Sequence, residues 1–251
     1  MGTRERRQRE FEARELLFLD TARKLIRDEG ILALQMARLA RACDYATGTL
    51  YQHFNSKEDL LVALATRRLE EHARYFCQAA TWQAGTRERM FALTVADYRF
   101  ARRHPGFSRL LQFAFTEVVW EGASEQRRQA LQDALQPPAQ AARGIVQEAI
   151  EAGDLPSHGQ NASALMVGPW GLCAGIQSMS QTRGLLEGLG VAEPGQQLFR
   201  HAQLLLNGLG WQPLMTPVDD TNLSRLVQRI EAEVLAKPHA AANPSVPGMK
   251  T

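Results

Sequence analysis

The chain has 251 residues, 45% of them hydrophobic and 22% charged, with a formal net charge of +2. That length and balance suit a folded protein with a core of its own, and they exclude both a disordered chain and a histone-like polycation. A nucleic-acid partner would therefore have to be met by a local positive field.

The three cysteines, Cys43, Cys77 and Cys173, are odd in number and free of CxxC spacing. They predict neither a disulfide framework nor a zinc knuckle, and they fit a reducing cytoplasm. The histidines at 53, 72, 104, 158, 201 and 239 form no HExxH or comparable ligand spacing, so no metal and no cofactor is expected.

In chain order, Met1 to Glu12 is charged throughout without an apolar centre, which predicts no secretory signal. Arginine at position 6 argues against a myristoylation site. The basic lead, residues 1–10, is expected to be mobile. Phe18, Ala22, Leu25 and Ile26 form one stripe at helical spacing, and Gly30 ends that helix. A short helix follows with Met36, Leu39, Ala40 and Cys43 on one face. Asp44 and Tyr45 make a tight turn, and a second short helix turns Leu50 and Phe54 inward. Ser56 then caps a new helix, with Asp59 three residues later in capping-box register.

That helix runs from Leu60 to about Ala79. Further helices are predicted at 87–103, 106–120, 124–136, 138–152, 162–182, 194–209 and 223–236, punctuated by Pro105, Pro137, Gly153 and Gly190. No stretch alternates as a strand does, so the fold is predicted to be all-α. Gly159 to Thr182 carries no charge, yet its apolar centre, Ala164 to Ile176, is only 13 residues long. A bilayer core needs about 20. With Gly168, Pro169, Gly171 and Gly175 inside it, this segment reads as a helix buried in protein, with no membrane partner. Residues 237–251, rich in Ala, Pro, Asn and Ser, read as a disordered tail.

The functional signal lies between Gln35 and Lys57. Ala40 is small where two helices would cross, Leu39 and Leu50 fill the space behind them, and the turn is only a few residues long. The second helix must then project and can lie in a major groove, as in a helix-turn-helix. Its leading residues Ala46, Thr47, Gly48 and Thr49 are small enough for a backbone to approach base edges. Tyr51, His53 and Lys57 offer a phenol, an imidazole and an ammonium to phosphates, and Gln52 either reads bases or faces solvent.

In these residues the chain resembles the tetracycline-repressor (TetR) family of regulators. The resemblance is carried by Ala22, Ile26, Gly30, Leu39-Ala40, Gly48-Thr49-Leu50-Tyr51, Phe54, Ser56-Lys57 and Leu60-Leu61. Gln35 stands where the family usually has threonine, Asp44 where it has glycine, and Ala46 where it has serine. Aspartate tolerates the left-handed turn, whereas two capping hydroxyls are missing.

The resemblance implies a DNA-binding head at 1–56 and a helical ligand-binding and dimerisation domain at 57–236. Arg103-His104-Pro105-Gly106-Phe107 resembles a family helix boundary. Trp170 and Gly175 resemble the family's Trp and His-Gly helix, with Ala174 in place of the histidine. A homodimer interface is accordingly expected around Gly171, Gly175 and Met179. Phe100, Phe107, Phe113, Trp120 and Trp170 are candidates to line an effector pocket or simply to form core, with Asp97 or Arg99 as a polar anchor. The expected function is a ligand-responsive regulator, a repressor released from a palindromic double-stranded DNA operator by a small, largely apolar effector.

Two alternatives stay open, a helical ligand-binding or scaffolding protein without DNA binding and a small helical enzyme. Against the enzyme, residues 184–190 lack the Gly-Lys-Ser/Thr of a phosphate loop, and Gly106 to Leu110 lacks the closing glycine of a nucleophile elbow.

Overall fold

The computed structural model describes residues 2–215 and 219–236, so the tail at 237–251 lies outside the described residues. Every regular element among them is helical, as the sequence pattern requires.

The first helix, α1 (Thr3–Glu29), starts well before the apolar stripe, so the basic lead is exposed helix. Phe18 and Ala22 are fully buried. Gly30 ends the helix at φ 92°, with its N–H on the Ile26 carbonyl at 2.9 Å. Next come α2 (Met36–Ala42) and α3 (Thr47–Tyr51). Asp44 turns the chain between them at φ 59°, and the Tyr45 N–H bonds the Ala40 carbonyl at 3.0 Å. Leu39, Ala40, Leu50 and Phe54 are wholly buried behind the crossing.

The long α4 (Lys57–Ala80) opens on Ser56, whose Oγ accepts the Asp59 N–H at 3.0 Å. Beyond it lie α5 (Thr86–Arg103), α6 (Phe107–Ala114), α7 (Glu117–Gly122), α8 (Glu125–Glu151), α9 (Ala162–Gln181), α10 (Leu185–Gly188), α11 (Pro194–Gly208) and α12 (Asp220–Ile230). A π-helical turn, Glu231–Leu235, closes the described body.

Three boundaries differ from the sequence reading. The predicted helix at 106–120 is two helices: the Phe115 and Thr116 N–H groups bond three residues back, to Gln112 and Phe113. The Thr116 hydroxyl also donates to the Phe113 carbonyl at 2.7 Å. The helices predicted at 124–136 and 138–152 are one, with Pro137 and Pro138 inside it. A proline inside a helix costs about 3 kcal/mol. Here Leu131, Ala134, Pro138, Ala142, Ile145 and Ala149 form one buried stripe on both sides of the prolines, and its packing against neighbouring helices holds the helix together. Finally, α9 is not buried all round, since Val167 and Trp170 are 53% and 63% exposed.

Two hydrophobic cores fill the molecule. One joins Phe18, Leu39 and Leu50 of the head to Phe100, Phe107, Leu110 and Leu131 of the body. The other packs Phe91, Ile145, Leu198, Trp211 and Ile230 at the far end. There Arg87 is buried and donates to the carbonyls of Trp211 and Gln203, to Gln203 Oε1 at 2.7 Å and to Asn207 Oδ1 at 2.8 Å. Burial pushes its guanidinium down to about 10. The cation sits at the C-terminal end of α11, where the helix dipole favours positive charge.

The head meets the body at Asp59, which is 2% exposed. One carboxylate oxygen accepts the Asn55 N–H at 3.0 Å and the other the Ser124 N–H at 2.6 Å, tying the start of α4 to the start of α8. Close by, a Cβ on Gly122 would fall 2.7 Å from Glu58 Cγ, so the corner before α8 sits hard against α4. Asp59→Ala would leave both N–H groups without partners in a dry site, and a loss of about 2–3 kcal/mol is expected. Asp59→Asn, which keeps one carbonyl acceptor, should lose less. Urea denaturation of the three proteins checks the order; equal midpoints would remove Asp59 from the junction.

Candidate nucleic-acid interface and effector cleft

The helix-turn-helix presents the predicted contacts unevenly. Gln35 and Ala46 occupy the N-cap positions of α2 and α3 with extended backbones, and neither makes a side-chain cap. Gln35, Ala46, Gly48, Tyr51 and Gln52 are exposed, while Thr47 and Thr49 are half-buried. A Cβ placed on Gly48 would meet nothing within 4 Å. Lys57 is half-buried, its Nζ 3.4 Å from the Leu32 carbonyl across the loop that leads into α2.

His53 is a correction. Its side chain is wholly buried, stacked on Phe11 with centroids 3.8 Å apart and edge-on to Phe18 at 5.3 Å, so it cannot lie along a phosphate rim. Its Nδ1 stands 3.6 Å from the Glu15 carboxylate, and neither ring nitrogen has a hydrogen-bond partner. Burial, with Arg14 and Arg127 adding to it against Glu15, holds the imidazole below its usual value. Arg127 of α8 pairs with Glu15 at 3.0 Å and donates to the His53 carbonyl at 3.1 Å. The histidine thus belongs to a second contact between head and body.

The seven proposed effector residues are not brought together. Asp97 sits in a polar chain in which it meets His72 Nε2 at 2.8 Å and accepts from Gln177, whose own Oε1 accepts from the Ser108 hydroxyl. Phe100 and Phe107 lie beside it, their rings 5.1 and 5.4 Å from the His72 ring. Phe113 and Trp120 pack half-buried against the head-side core. Arg99 is a correction: its guanidinium is taken up by an ion pair with Glu231 of the closing π-helical turn. So is Trp170, which stands on the exposed face of α9 with Gly171 and Gly175, while Met179 is half-buried.

One cavity escaped the sequence reading. It is a cleft of 650 Å³ where the end of α1 and Gly30-Ile31 face the end of α5, α6 and the end of α9. Arg102, Arg103, His104 and Arg109 line it, and Phe107 is the one predicted effector residue that does. The signal available was the basic cluster around the Pro105-Gly106 boundary; only the fold shows that Arg23, Arg27 and Arg68 converge on it.

Among the described residues no group of His, Cys, Asp and Glu could hold a metal ion, and no helix is long and apolar enough to cross a membrane. All three cysteines are free, and burial raises each thiol, so none is primed as a nucleophile.

Residues 18–64 match the family model described as bacterial regulatory proteins, tetR family. No curated protein is similar enough in sequence to match. Solved structures with a similar fold include a protein of unknown function from Rhodococcus sp. RHA1, 23% identical, covering 78% of this chain and 95% of that one at a TM-score of 0.63. A transcriptional regulator of the TetR/AcrR family from Thermobifida fusca YX-ER1 is 20% identical, covering 78% and 98% at 0.58. The regulator FadR from Bacillus subtilis, in complex with stearoyl-CoA, is 17% identical, covering 77% and 96% at 0.57. At these identities the likeness carries the fold.

Two stability measurements follow from this geometry. Gln35→Thr and Ala46→Ser should each supply a missing cap and raise stability by about 1 kcal/mol, read as a higher urea midpoint; no gain would mean that the first-turn N–H groups are already satisfied. For His53 the unfolded chain takes up a proton near pH 6.5, whereas the folded site resists it. The contribution is therefore present above that pH and is lost as pH falls through the lower folded value. His104, lowered chiefly by burial, acts in the same direction. Stability should fall from pH 7 to pH 5, and His53→Phe should flatten that fall. An unchanged slope would mean that His53 is not held neutral.

Proposed function

The chain belongs, through its head at residues 18–64, to the tetR family of bacterial regulatory proteins, and from that premise we propose a homodimeric repressor that a small effector releases from a palindromic operator. The observation that carries the reading is Gly48. A glycine within a helix costs about 1 kcal/mol, and no contact inside the protein requires one here. A close external surface does, because a major-groove floor approaching α3 leaves no room for a side chain there. Thr47 and Thr49 would offer methyl groups to thymine, and Tyr51, Lys57 and the ends of α2 and α3 would hold phosphates. Glutamine at position 52 is exposed and long enough to reach a base edge.

Dimerisation is proposed through the outer face of α9. Val167, Trp170, Gly171, Ala174 and Gly175 are exposed at helical spacing, and Leu204 of the adjacent α11 is 53% exposed beside them. Small residues there let a second copy approach closely, and closed dimers are the commonest assembly. The two recognition helices would then address half-sites roughly 34–36 Å apart. The effector is proposed to be largely apolar, resting on Phe107, Leu110, Leu64 and Ile26 in the head–body cleft. FadR's stearoyl-CoA is consistent with a ligand that carries a long apolar part. Release follows if the effector binds better to an arrangement of heads that does not match the operator.

Duplexes selected from a random pool by the full chain should converge on an inverted repeat. Tyr51→Phe and Lys57→Ala should weaken all duplexes about equally, and Lys57→Ala should reduce the salt slope by about one unit. Thr47→Ala should relax sequence preference instead. Trp170→Asp should yield a folded monomer by sedimentation with much weaker operator binding. No selected duplex at all, or three head variants with unchanged affinity, would sink the proposal.

A further inference from the structure

We propose that the cleft between head and body is an anion site that takes the carboxylate or phosphate end of a small amphipathic effector. This rests on the regulator reading above and names the chemistry of its effector.

Six arginines line the cleft: Arg23 and Arg27 from α1, Arg68 from α4, Arg102 and Arg103 from α5, and Arg109 from α6. His104 stands among them, and among the described residues no aspartate or glutamate is part of the lining. Among the described residues only three of the arginines have a carboxylate partner: Arg23 with Asp20 at 3.6 Å, Arg27 with Asp28 at 3.1 Å, and Arg68 with Glu71. Arg109 has the Gln181 carbonyl at 3.2 Å, and Arg103 lies 5.9 Å over the Tyr75 ring. Arg102 is exposed without an ion pair among the described residues. Arg23 Nε is buried with no acceptor.

Such a concentration of like charge is unfavourable when empty. Arg68 and His104 both stand below their ordinary values, first through burial and then through repulsion from neighbouring arginines, against which Glu71 works. An anion relieves that repulsion and meets planar guanidinium donors suited to carboxylate and phosphate.

The backbone adds to the field. Gly106, at φ 90°, starts α6 in the cleft wall without a side-chain cap, so the helix brings the positive end of its dipole to the site. Behind the basic mouth, Ile26, Ile31, Leu64, Phe107 and Leu110 supply an apolar wall. Asp97 is screened from the cleft by Gln177, which bonds it and lines the cleft with Ser108. The site thus combines an anion mouth with an apolar side, the signature of an amphipathic acid.

Its position gives it a consequence for DNA. Arg23, Arg27 and Ile31 belong to the head, while Arg102, Arg103 and Arg109 belong to the body. One anion held by both sets draws the two sides of the cleft together and changes the angle of the head.

Isothermal titration of the full-length chain with octanoate, octyl phosphate and 1-octanol tests this, since the three share a tail and differ in charge. Octanoate and octyl phosphate should each bind at least tenfold more tightly than 1-octanol. Arg102→Gln/Arg103→Gln, at two exposed positions, should cut the binding of both anions at least tenfold and leave 1-octanol and duplex binding unchanged. Arg109→Gln provides a second variant, and thermal melting confirms that each is folded. The proposal is overturned if neither anion binds, if they bind no better than 1-octanol, or if the variants bind them as the parent does. Weaker duplex binding with unchanged anion binding would instead assign these arginines to DNA phosphates. Failure to bind any selected duplex would overturn the regulator reading without altering the titrations.

Discussion

A single buried carboxylate sets the geometry on which the rest depends. Asp59 takes an N–H from the end of the recognition segment and an N–H from the start of α8, while its own helix is the one that continues into the body. The end of the recognition segment and the start of α4 are thereby fixed to the start of α8, 65 residues further on. In a dry site such charge-assisted bonds have no water to exchange with, so they are directional and hard to loosen. Arg127, one turn further along α8, repeats the device by holding the His53 carbonyl and Glu15 together. The head is thus clamped along one side by α8.

The same α8 is a single rod. The chain could have broken at Pro137, and local propensity alone says it should. Its buried stripe, from Leu131 to Ala149, belongs to both cores, the head-side one through Leu131 and Ala134 and the distal one through Ala142, Ile145 and Ala149. A break would separate those two sets. At the far end Arg87 plays a matching part, since its burial is offset by four acceptors from the end of α11 and the segment after it.

How much of this is legible in the sequence depends on the range of the interaction. The helix-turn-helix is local: Asp44 in the left-handed turn, small Ala40 at the crossing and Ser56 at the cap are all decided by residues within a turn or two. They appear where periodicity and capping rules put them. His53 failed because its neighbours are supplied by residues of α1 some 40 positions earlier, Phe11 and Phe18. Trp170 failed for the opposite reason, since an aromatic on an uncharged helix reads as interior whether protein or solvent lies over it. The arginine cleft is the most distant feature of all. Arg23 and Arg103 carry ordinary helix-surface charge in sequence, and only the packing of α1 beside α5 and α6 makes them neighbours.

The two sides of the head therefore differ in kind. On the α8 side every strong polar group at Asp59 is satisfied, so that side acts as a fixed edge. On the cleft side the two walls carry like charges. Energetics then constrain the proposed effector. Moving a two-state head from 1:99 to 99:1 takes a differential affinity of about 5.5 kcal/mol. One exposed ion pair contributes about 0–1 kcal/mol, so a lone carboxylate on a lone arginine could not do it. Several guanidiniums from both walls, acting with the apolar contacts of Phe107, Leu64 and Ile26, bring that figure within reach. A bare inorganic anion would engage only the mouth and should shift the head less than an amphipathic one. The cleft, by this reasoning, responds to molecules that engage its charge and its apolar wall at once.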